Sequence, residues 1–412
     1  MSEKPDKVYS DSRRFAKVSG RNLGRIYFSI FGSGLGHVTR TFEIAQSLRT
    51  DHDEFRFSCS SQAFGYLHAL GLGKSVLSSP PLDVEWDEEK SFWGRDFLVH
   101  FPYIFDSFLK QISSETEGIS RFSPDIVVSD SRLSPVVGAR MNSRPVITLL
   151  NQFKVLFPGR FRSNRLGRFY ERISGDVLGL LWSLSDEVLM TDLPPPYTIG
   201  EANVEGTDVS NVVKYVGFTS SRKDIDQESL SSAKRLLDID GRPLVFFQVS
   251  GPEETKKRLV DMTLKATGAL ADRYNVVVSI GRMGGSSEPQ RLSNGAWLYD
   301  WCPIKDELFE LSDLVVARSG HRTIGQCIDS GTPAVLIPIH NHSEQVGNAR
   351  RFSELGLGVE IESKDLTPRL LTDSVDQCLN DSSYSSKVAS LMEISRRYDG
   401  IAKCAEIIDS YR

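Results

Sequence analysis

The sequence predicts an α/β protein of two facing Rossmann-like domains, and three observations lead there. The chain has 412 residues, long for a single core. Apolar runs of strand length alternate with helix-length segments from Arg25 onward, the pattern of a parallel sheet covered by helices. Finally, two glycine-bearing turns stand near opposite ends. Gly32-Ser33-Gly34-Leu35-Gly36-His37 follows the apolar run Arg25–Phe31, and Arg318-Ser319-Gly320-His321-Arg322-Thr323 follows Leu314–Ala317. Each reads as strand, tight turn and helix, which aims backbone N–H groups and a helix N-terminus at an anion. One such turn in each half implies a nucleotide and a second substrate held between two domains.

Bulk properties narrow the class. The net charge of -5, with 25% charged and 40% hydrophobic residues, argues against a dedicated nucleic-acid binder, which is usually basic. No apolar run approaches the ~20 residues that cross a bilayer. Residues 1–21 are polar and mixed in charge, without a secretory apolar region, and are expected to form a flexible leader. Five scattered cysteines without a Cys-x-x-Cys point to reduced thiols in a cytoplasmic protein.

In chain order, the expected strands of the first half are 25–31, 54–60, 124–129, 145–150, 187–191 and 212–218, with helices near 38–50, 61–70, 97–118 and 132–142. Strand 124–129 is apolar enough to be buried on both faces. The polar run Thr219–Asp224 reads as a linker, so the boundary falls near 220. A short helix at 227–238 then precedes strand 243–251, helix 253–272, strands 274–280 and 296–299, helix 305–311, strand 313–317, a helix from His321, strand 333–339, helix 342–355 and strand 358–361. The tail is helical. The domains expected are therefore 22–220 and 221–385, with C-terminal helices at 386–412, the last packing back on the first domain.

The turns also suggest chemistry. Glycines at 32, 34 and 36 permit a sharp bend and close ligand approach, and His37, in the first helical turn, is placed to act as a general base toward a hydroxyl. The alternative is a tight turn with His37 as a mere cap. Strand 54–60 ends without the acid that would hold a nicotinamide ribose, against a dehydrogenase. Gly320, with the Thr323 hydroxyl, is suited to a diphosphate. Gln326, one helical turn on, can donate to and accept from ribose hydroxyls. Glu344 and Gln345 follow the loop after the Pro338 strand and can face the same cleft.

Residues 312–349 resemble the donor-binding half of the GT-B glycosyltransferases. The likeness is to the branch of the bacterial peptidoglycan N-acetylglucosaminyltransferase and its archaeal and diacylglycerol-glucosyltransferase relatives. It rests on Asp313-Leu314-Val315, Arg318-x-Gly320-x-x-Thr323, Gly331-x-Pro333, the strand ending at Pro338, and Gln345 followed by Asn348-Ala349. Gly32–His37 is similar to that branch's acceptor-side loop. The resemblance implies His37 as catalytic base or phosphate contact, and phosphate approach at Gly34, Gly36, Ser250 and Gly251. It further implies a diphosphate site at Ser319, Gly320 and Thr323, and sugar contacts at Glu344 and Gln345. Gln326 departs from the family's Glu, and His321 and Arg322 depart from its small residues. These two either add positive charge beside the diphosphate or point to solvent.

Asp130 ends the strand at 124–129. It either assists His37 and the acceptor hydroxyl or caps the helix near Leu133, and Asp-Ser before a helix favours the cap. Asn151 and Gln152 end the next strand in the same layer and are acceptor candidates. His340 and His342 form a His-x-His, but no carboxylate cluster is near in sequence, so no metal is expected. The stretch 152–172 holds six Lys or Arg and one acid among aromatic residues. It suits peripheral contact with an anionic membrane, or else is an ordinary solvated amphipathic segment. Trp86–Arg95 is a candidate acceptor loop or a plain surface loop.

The expectation is an inverting glycosyltransferase that needs neither metal nor cofactor. It would move a hexose or N-acetylhexosamine from a nucleotide-diphosphate sugar, a UDP-sugar above others, to a sugar, glycolipid or polyprenyl-phosphate-linked acceptor, in the cytoplasm or at the inner membrane face. The alternatives are a nucleotide-sugar 2-epimerase on the same fold and a non-catalytic nucleotide-sugar-binding protein.

Overall fold

The computed structural model describes residues 24–32, 34–48, 54–81, 95–153, 165, 177–201, 213–220, 225–251, 253–282 and 284–411. The expected leader at 1–21, the segment 86–94 and most of the basic stretch 152–172 lie outside them.

The first sheet is built from β1 (Arg25–Ile30), α1 (Leu35–Leu48), β2 (Glu54–Cys59), α2 (Ser61–Ala69), β3 (Val76–Ser78), α3 (Arg95–Phe122), β4 (Ile126–Asp130), α4 (Ser134–Met141), β5 (Val146–Leu150), β6 (Glu187–Met190) and β7 (Val213–Tyr215). Its order is β3-β2-β1-β4-β5-β6-β7, and every pairing is parallel. Strands β4 and β5 are buried at every residue, as suits central parallel strands that are mostly apolar.

The second sheet takes α5 (Gln227–Leu236), β8 (Leu244–Gln248), α6 (Glu253–Leu270), β9 (Asn275–Ser279), β10 (Gln290–Arg291), β11 (Trp297–Tyr299), α7 (Lys305–Leu311), β12 (Leu314–Ala317), α8 (His321–Asp329), β13 (Ala334–Leu336), α9 (Ser343–Glu354) and β14 (Gly358–Glu360). The order is β10-β11-β9-β8-β12-β13-β14, antiparallel only at β10–β11. Three helices follow: α10 (Pro368–Asn380), α11 (Ser382–Ser395) and α12 (Gly400–Asp409). Asp226, Thr367, Asp381 and Asp399 accept from backbone amides at the starts of α5, α10, α11 and α12, which satisfies N–H groups that would otherwise lack partners.

Strand order reverses between β1 and β4 in the first sheet and between β8 and β12 in the second. At such switch points the helices leave toward opposite faces and open a crevice at the strand C-termini. His37 and Asp130 flank the first switch point; Ser250-Gly251 and the 318–323 turn flank the second. The two edge strands absent from the sequence reading, β3 and β10, have three and two residues, too few for a hydrophobic period to register.

The cores do not divide simply at residue 220. Cys404, Ala405, Ile407 and Ile408 of α12 pack into the cluster around Val38, Ile44 and Leu48 of α1. Leu193, Ile199 and Phe218 pack with Phe246, Ile324 and Leu336 of the second sheet. The chain thus passes between the two cores around residues 193–218 and returns to the first with α12. All five cysteines are free and buried, and burial pushes the Cys59, Cys378 and Cys404 thiols up to about 12. Beneath the first sheet, fully buried Glu115 accepts from Tyr27 (3.0 Å), Ser58 (2.7 Å) and Arg132 (2.7 Å). A buried carboxylate needs such partners, and this one pins α3 to the sheet.

Candidate active site

Strand β1 delivers the chain to Gly34, whose φ of 77° is open to glycine and strained for other residues. The Gly34 amide donates to Gln62 Oε1 at 2.9 Å, so in this state it serves the turn itself; Gly36 lies inside α1. His37 follows in the first turn of α1. Its Nδ1 lies 2.7 Å from Asp130 Oδ1. The imidazole is 21% exposed and the carboxylate not at all.

Asp130 is not a helix cap, contrary to the favoured sequence reading. Helix α4 starts at Ser134, and its N-cap position is Leu133, without a side-chain cap bond. Ser131, with φ of 56°, turns the chain away directly after the carboxylate. Both Asp130 oxygens are engaged: Arg40 Nε and Thr41 Oγ1 each donate to Oδ2 at 2.7 Å, and Arg40 Nη2 donates to Oδ1. Burial alone would raise this carboxyl. The charges of Arg40 and His37, with their hydrogen bonds, overcome it and hold Asp130 well below the usual carboxylate range.

A carboxylate only accepts, so the proton on His37 Nδ1 points at Asp130 and Nε2 carries the lone pair. Arg40 Nη2, 3.2 Å from Nδ1, competes for the same position, but the shorter carboxylate contact decides the tautomer. Arg40 also donates through Nη1 to Asn151 Oδ1 and to Thr191 Oγ1 (3.0 Å). One buried guanidinium therefore ties together the C-terminal ends of β4, β5 and β6. Asn151 braces this strap. Among the described residues, His37 Nε2 makes no hydrogen bond.

Across the cleft, β12 leads through Gly320 into α8. Gly320 is the N-cap residue, without a side-chain cap bond, and a Cβ there would meet nothing within 4 Å. The space beside the Gly320 Cα is therefore open at the start of α8. The Thr323 hydroxyl makes no hydrogen bond among the described residues. Ser319 differs from expectation: it is fully buried and its hydroxyl donates to the Gln345 carbonyl at 2.8 Å, so it offers no side chain to a ligand. Gly251, with φ of 117°, sits against Thr255 and Ile339, which joins the Ser250-Gly251 turn to the loop after β13. Gln345 Oε1 accepts from the Ile339 amide at 3.0 Å and shapes that loop. Glu344, in the first turn of α9, is half-buried and makes no hydrogen bond among the described residues.

The two residues at the start of α8 correct the sequence expectation most. His321 does not point to solvent. It is buried, with Nε2 3.0 Å from Asp192 Oδ2 and its ring 5.4 Å from that of Phe218. Asp192, at the end of β6, is itself cradled by the amides of Leu193, Ile199 and Gly200. Arg322 grips Glu43 of α1 with two bonds, 2.7 and 2.8 Å, and donates to the Thr219 carbonyl at 2.9 Å. Both residues join the domains. Glu43 lies six residues beyond His37, about 9 Å along α1, so the N-termini of α1 and α8 face the same cleft. Gln326 turns toward α7, where it meets Lys305 and Asp306.

His342 Nδ1 caps α9 by accepting from the Gln345 amide at 3.4 Å, while His340 is exposed. Among the described residues no group of three or more His, Cys, Asp or Glu side chains is placed to hold a metal ion. Arg40, Glu43, Asp192, Lys305 and Asp306 also belong to the site, though no sequence motif marks them. Arg40 alone left a signal: it sits one turn after His37 on the face of α1 that carries Val38, Thr41 and Ile44 inward, where a cation needs a buried partner.

Residues 254–403 match the glycosyltransferase family 28 C-terminal domain. The chain is 26% identical over 309 residues to an uncharacterized glycosyltransferase of Methanopyrus kandleri, covering 74% of this chain and 83% of the relative. It is 24% identical over 367 residues to a transferase of Thermodesulfovibrio yellowstonii, covering 86% and 90%. That relative is named UDP-N-acetylglucosamine–N-acetylmuramyl-(pentapeptide) pyrophosphoryl-undecaprenol N-acetylglucosamine transferase. Among solved structures, Streptomyces sp. SF2575 glycosyltransferase SsfS6, complexed with thymidine diphosphate, superposes with a TM-score of 0.63 at 17% identity, covering 94% and 99%. The fold is GT-B, and the enzyme class is glycosyltransferase.

Proposed function

We propose that this glycosyltransferase moves a sugar from a UDP-sugar to an acceptor hydroxyl with inversion at the anomeric carbon and without a metal ion. The observation that supports this best is the His37–Asp130 pair at one switch point, facing the open helix N-terminus at Gly320 across a cleft closed by Arg322–Glu43. His37 Nε2 takes the acceptor's proton as its oxygen attacks the anomeric carbon. Asp130 holds the tautomer and balances the imidazolium that forms. The amides after Gly320 and the Thr323 hydroxyl stabilise the departing diphosphate through preorganised dipoles. Glu344 accepts from hydroxyls of the transferred sugar, and the closed cleft keeps water from the donor. In this reading the first domain takes the acceptor and the second the donor.

Asp130→Asn is expected to keep the donor affinity but lower kcat by roughly 10²- to 10⁴-fold, because an amide no longer enforces the Nδ1–H tautomer. Titration of the donor beside steady-state rates checks this. Equal loss in binding and turnover would count against the assignment. EDTA is expected to leave the wild-type rate unchanged, and a rate restored only by added Mg²⁺ would contradict the metal-free mechanism.

The acceptor in this proposal is lipid-linked, presented at the inner face of a membrane. Val177, Leu180 and Leu184 are exposed apolar residues just beyond the basic stretch 152–172, and exposed Met141 lies at the end of neighbouring α4. Apolar side chains beside clustered cations suit an anionic bilayer. Flotation with phosphatidylglycerol vesicles is expected to carry the protein, and Leu180→Glu to reduce binding. Equal flotation with neutral vesicles, or none, would remove the membrane from the reading. Among the described residues no helix is long and apolar enough to cross a membrane.

A further inference from the structure

Helices α7 and α8 meet at a three-residue cluster outside the machinery assigned so far. Gln326 Nε2 donates to Asp306 Oδ1 at 3.2 Å. Gln326 Oε1 accepts from Lys305 Nζ at 3.3 Å, and Lys305 Nζ lies 3.4 Å from Asp306 Oδ1. Chemistry fixes the amide orientation: the ammonium only donates and the carboxylate only accepts, so each end of Gln326 has one possible neighbour. The side chains of Lys305 and Asp306 remain 34% and 18% exposed, so the cluster is open on one side. Both sit in the first turn of α7, just after β11, which runs parallel to β9 and so ends on the ligand-bearing edge of the sheet.

Its distance from the phosphate site is set by the helix. Gln326 is five residues beyond His321, about 7.5 Å down α8, a span that fits the reach from a diphosphate to its ribose. An amide at 326 supplies no negative acceptor for a ribose diol, but the neighbouring helix does. A carboxylate has about four lone-pair sites, so Asp306 can accept a sugar hydroxyl in addition to its present partners, Gln326 and Lys305 among them. We infer that the Asp306 carboxylate, oriented by Gln326 and Lys305, reads the ribose 2′-hydroxyl and makes the site select ribonucleoside over 2′-deoxyribonucleoside diphosphates. The inference rests on the donor site proposed above. The fold does not decide the matter: one relative is named for a uridine donor, and a structural neighbour is complexed with thymidine diphosphate.

The test is calorimetric titration of UDP and 2′-deoxy-UDP into wild type and Asp306→Ala. Wild type should prefer UDP by about 10- to 100-fold, the range of a hydrogen bond to a charged group. Asp306→Ala should bring the two within about threefold while 2′-deoxy-UDP affinity holds, which also reports an intact site. Equal wild-type affinities, or a preference that survives Asp306→Ala, would overturn the inference and leave the donor site standing. Failure of both nucleotides to bind wild type would overturn the donor site and the inference together. Should Asp306→Ala bind neither, Asp306→Asn decides: lost selectivity with 2′-deoxy-UDP binding retained supports the reading, and retained selectivity overturns it.

Discussion

His37→Ala is expected to lower kcat for sugar transfer by roughly 10²- to 10⁴-fold, the usual contribution of a positioned general base, while donor affinity stays within about threefold. The separation follows from geometry. His37 belongs to α1 and is held by Asp130 at 2.7 Å, whereas the donor amides belong to α8 and need no imidazole. A hydroxyl nucleophile loses its proton only if a base with an available lone pair faces it, and the Asp130 contact leaves that lone pair on Nε2. Donor titration with single-turnover rates reads both quantities. Unchanged turnover would move the base elsewhere, a wild type that binds donor without turnover would make the protein a nucleotide-sugar binder, and a parallel loss of donor affinity would make His37 a phosphate contact.

Arg40→Met carries the largest expected loss of stability, about 3–5 kcal/mol, the usual effect of leaving a buried charge without its partner. Asp130 is fully buried, and Arg40 supplies two of its four contacts while also bracing Asn151 and Thr191. The pH dependence has a definite sign. In wild type the Asp130 carboxyl is depressed, so its contribution is fully present above the unfolded value near ~3.9 and is lost as pH falls through the lower folded value. Without the guanidinium, burial raises the carboxyl, and the folded variant then gains by binding a proton. The stability gap between wild type and Arg40→Met is therefore widest near neutrality and narrows toward pH 4. Urea unfolding across this range checks it, and a pH-independent gap would mean that Arg40 acts by packing alone.

The frame was legible because its signals are local and repeated. Buried parallel strands such as β4 and β8 are short apolar runs, and a glycine turn after a strand marks where a ligand edge lies. His37 and Asp130 could each be named from position, but whether Asp130 serves the imidazole or a helix depends on a contact between residues 93 apart in sequence, which no local pattern encodes. The same holds for the start of α8. His321 and Arg322 beside a diphosphate turn suggest anion contacts, yet both are spent joining the domains, through Asp192 and Glu43. Their partners come from β6 and α1, and a polar residue at a strand end or a glutamate on a helix looks ordinary alone. Gln326 is the reverse case: the sequence shows a missing carboxylate, and only the packing of α7 on α8 shows where one is supplied.

Titration of UDP and a panel of UDP-sugars in EDTA into wild type and Thr323→Ala tests whether the N-terminus of α8 is a metal-independent nucleotide-sugar site. Wild type should bind, and Thr323→Ala should bind about tenfold more weakly, the loss of a hydrogen bond to a charged group. No binding across the panel, or affinity indifferent to Thr323, would contradict it.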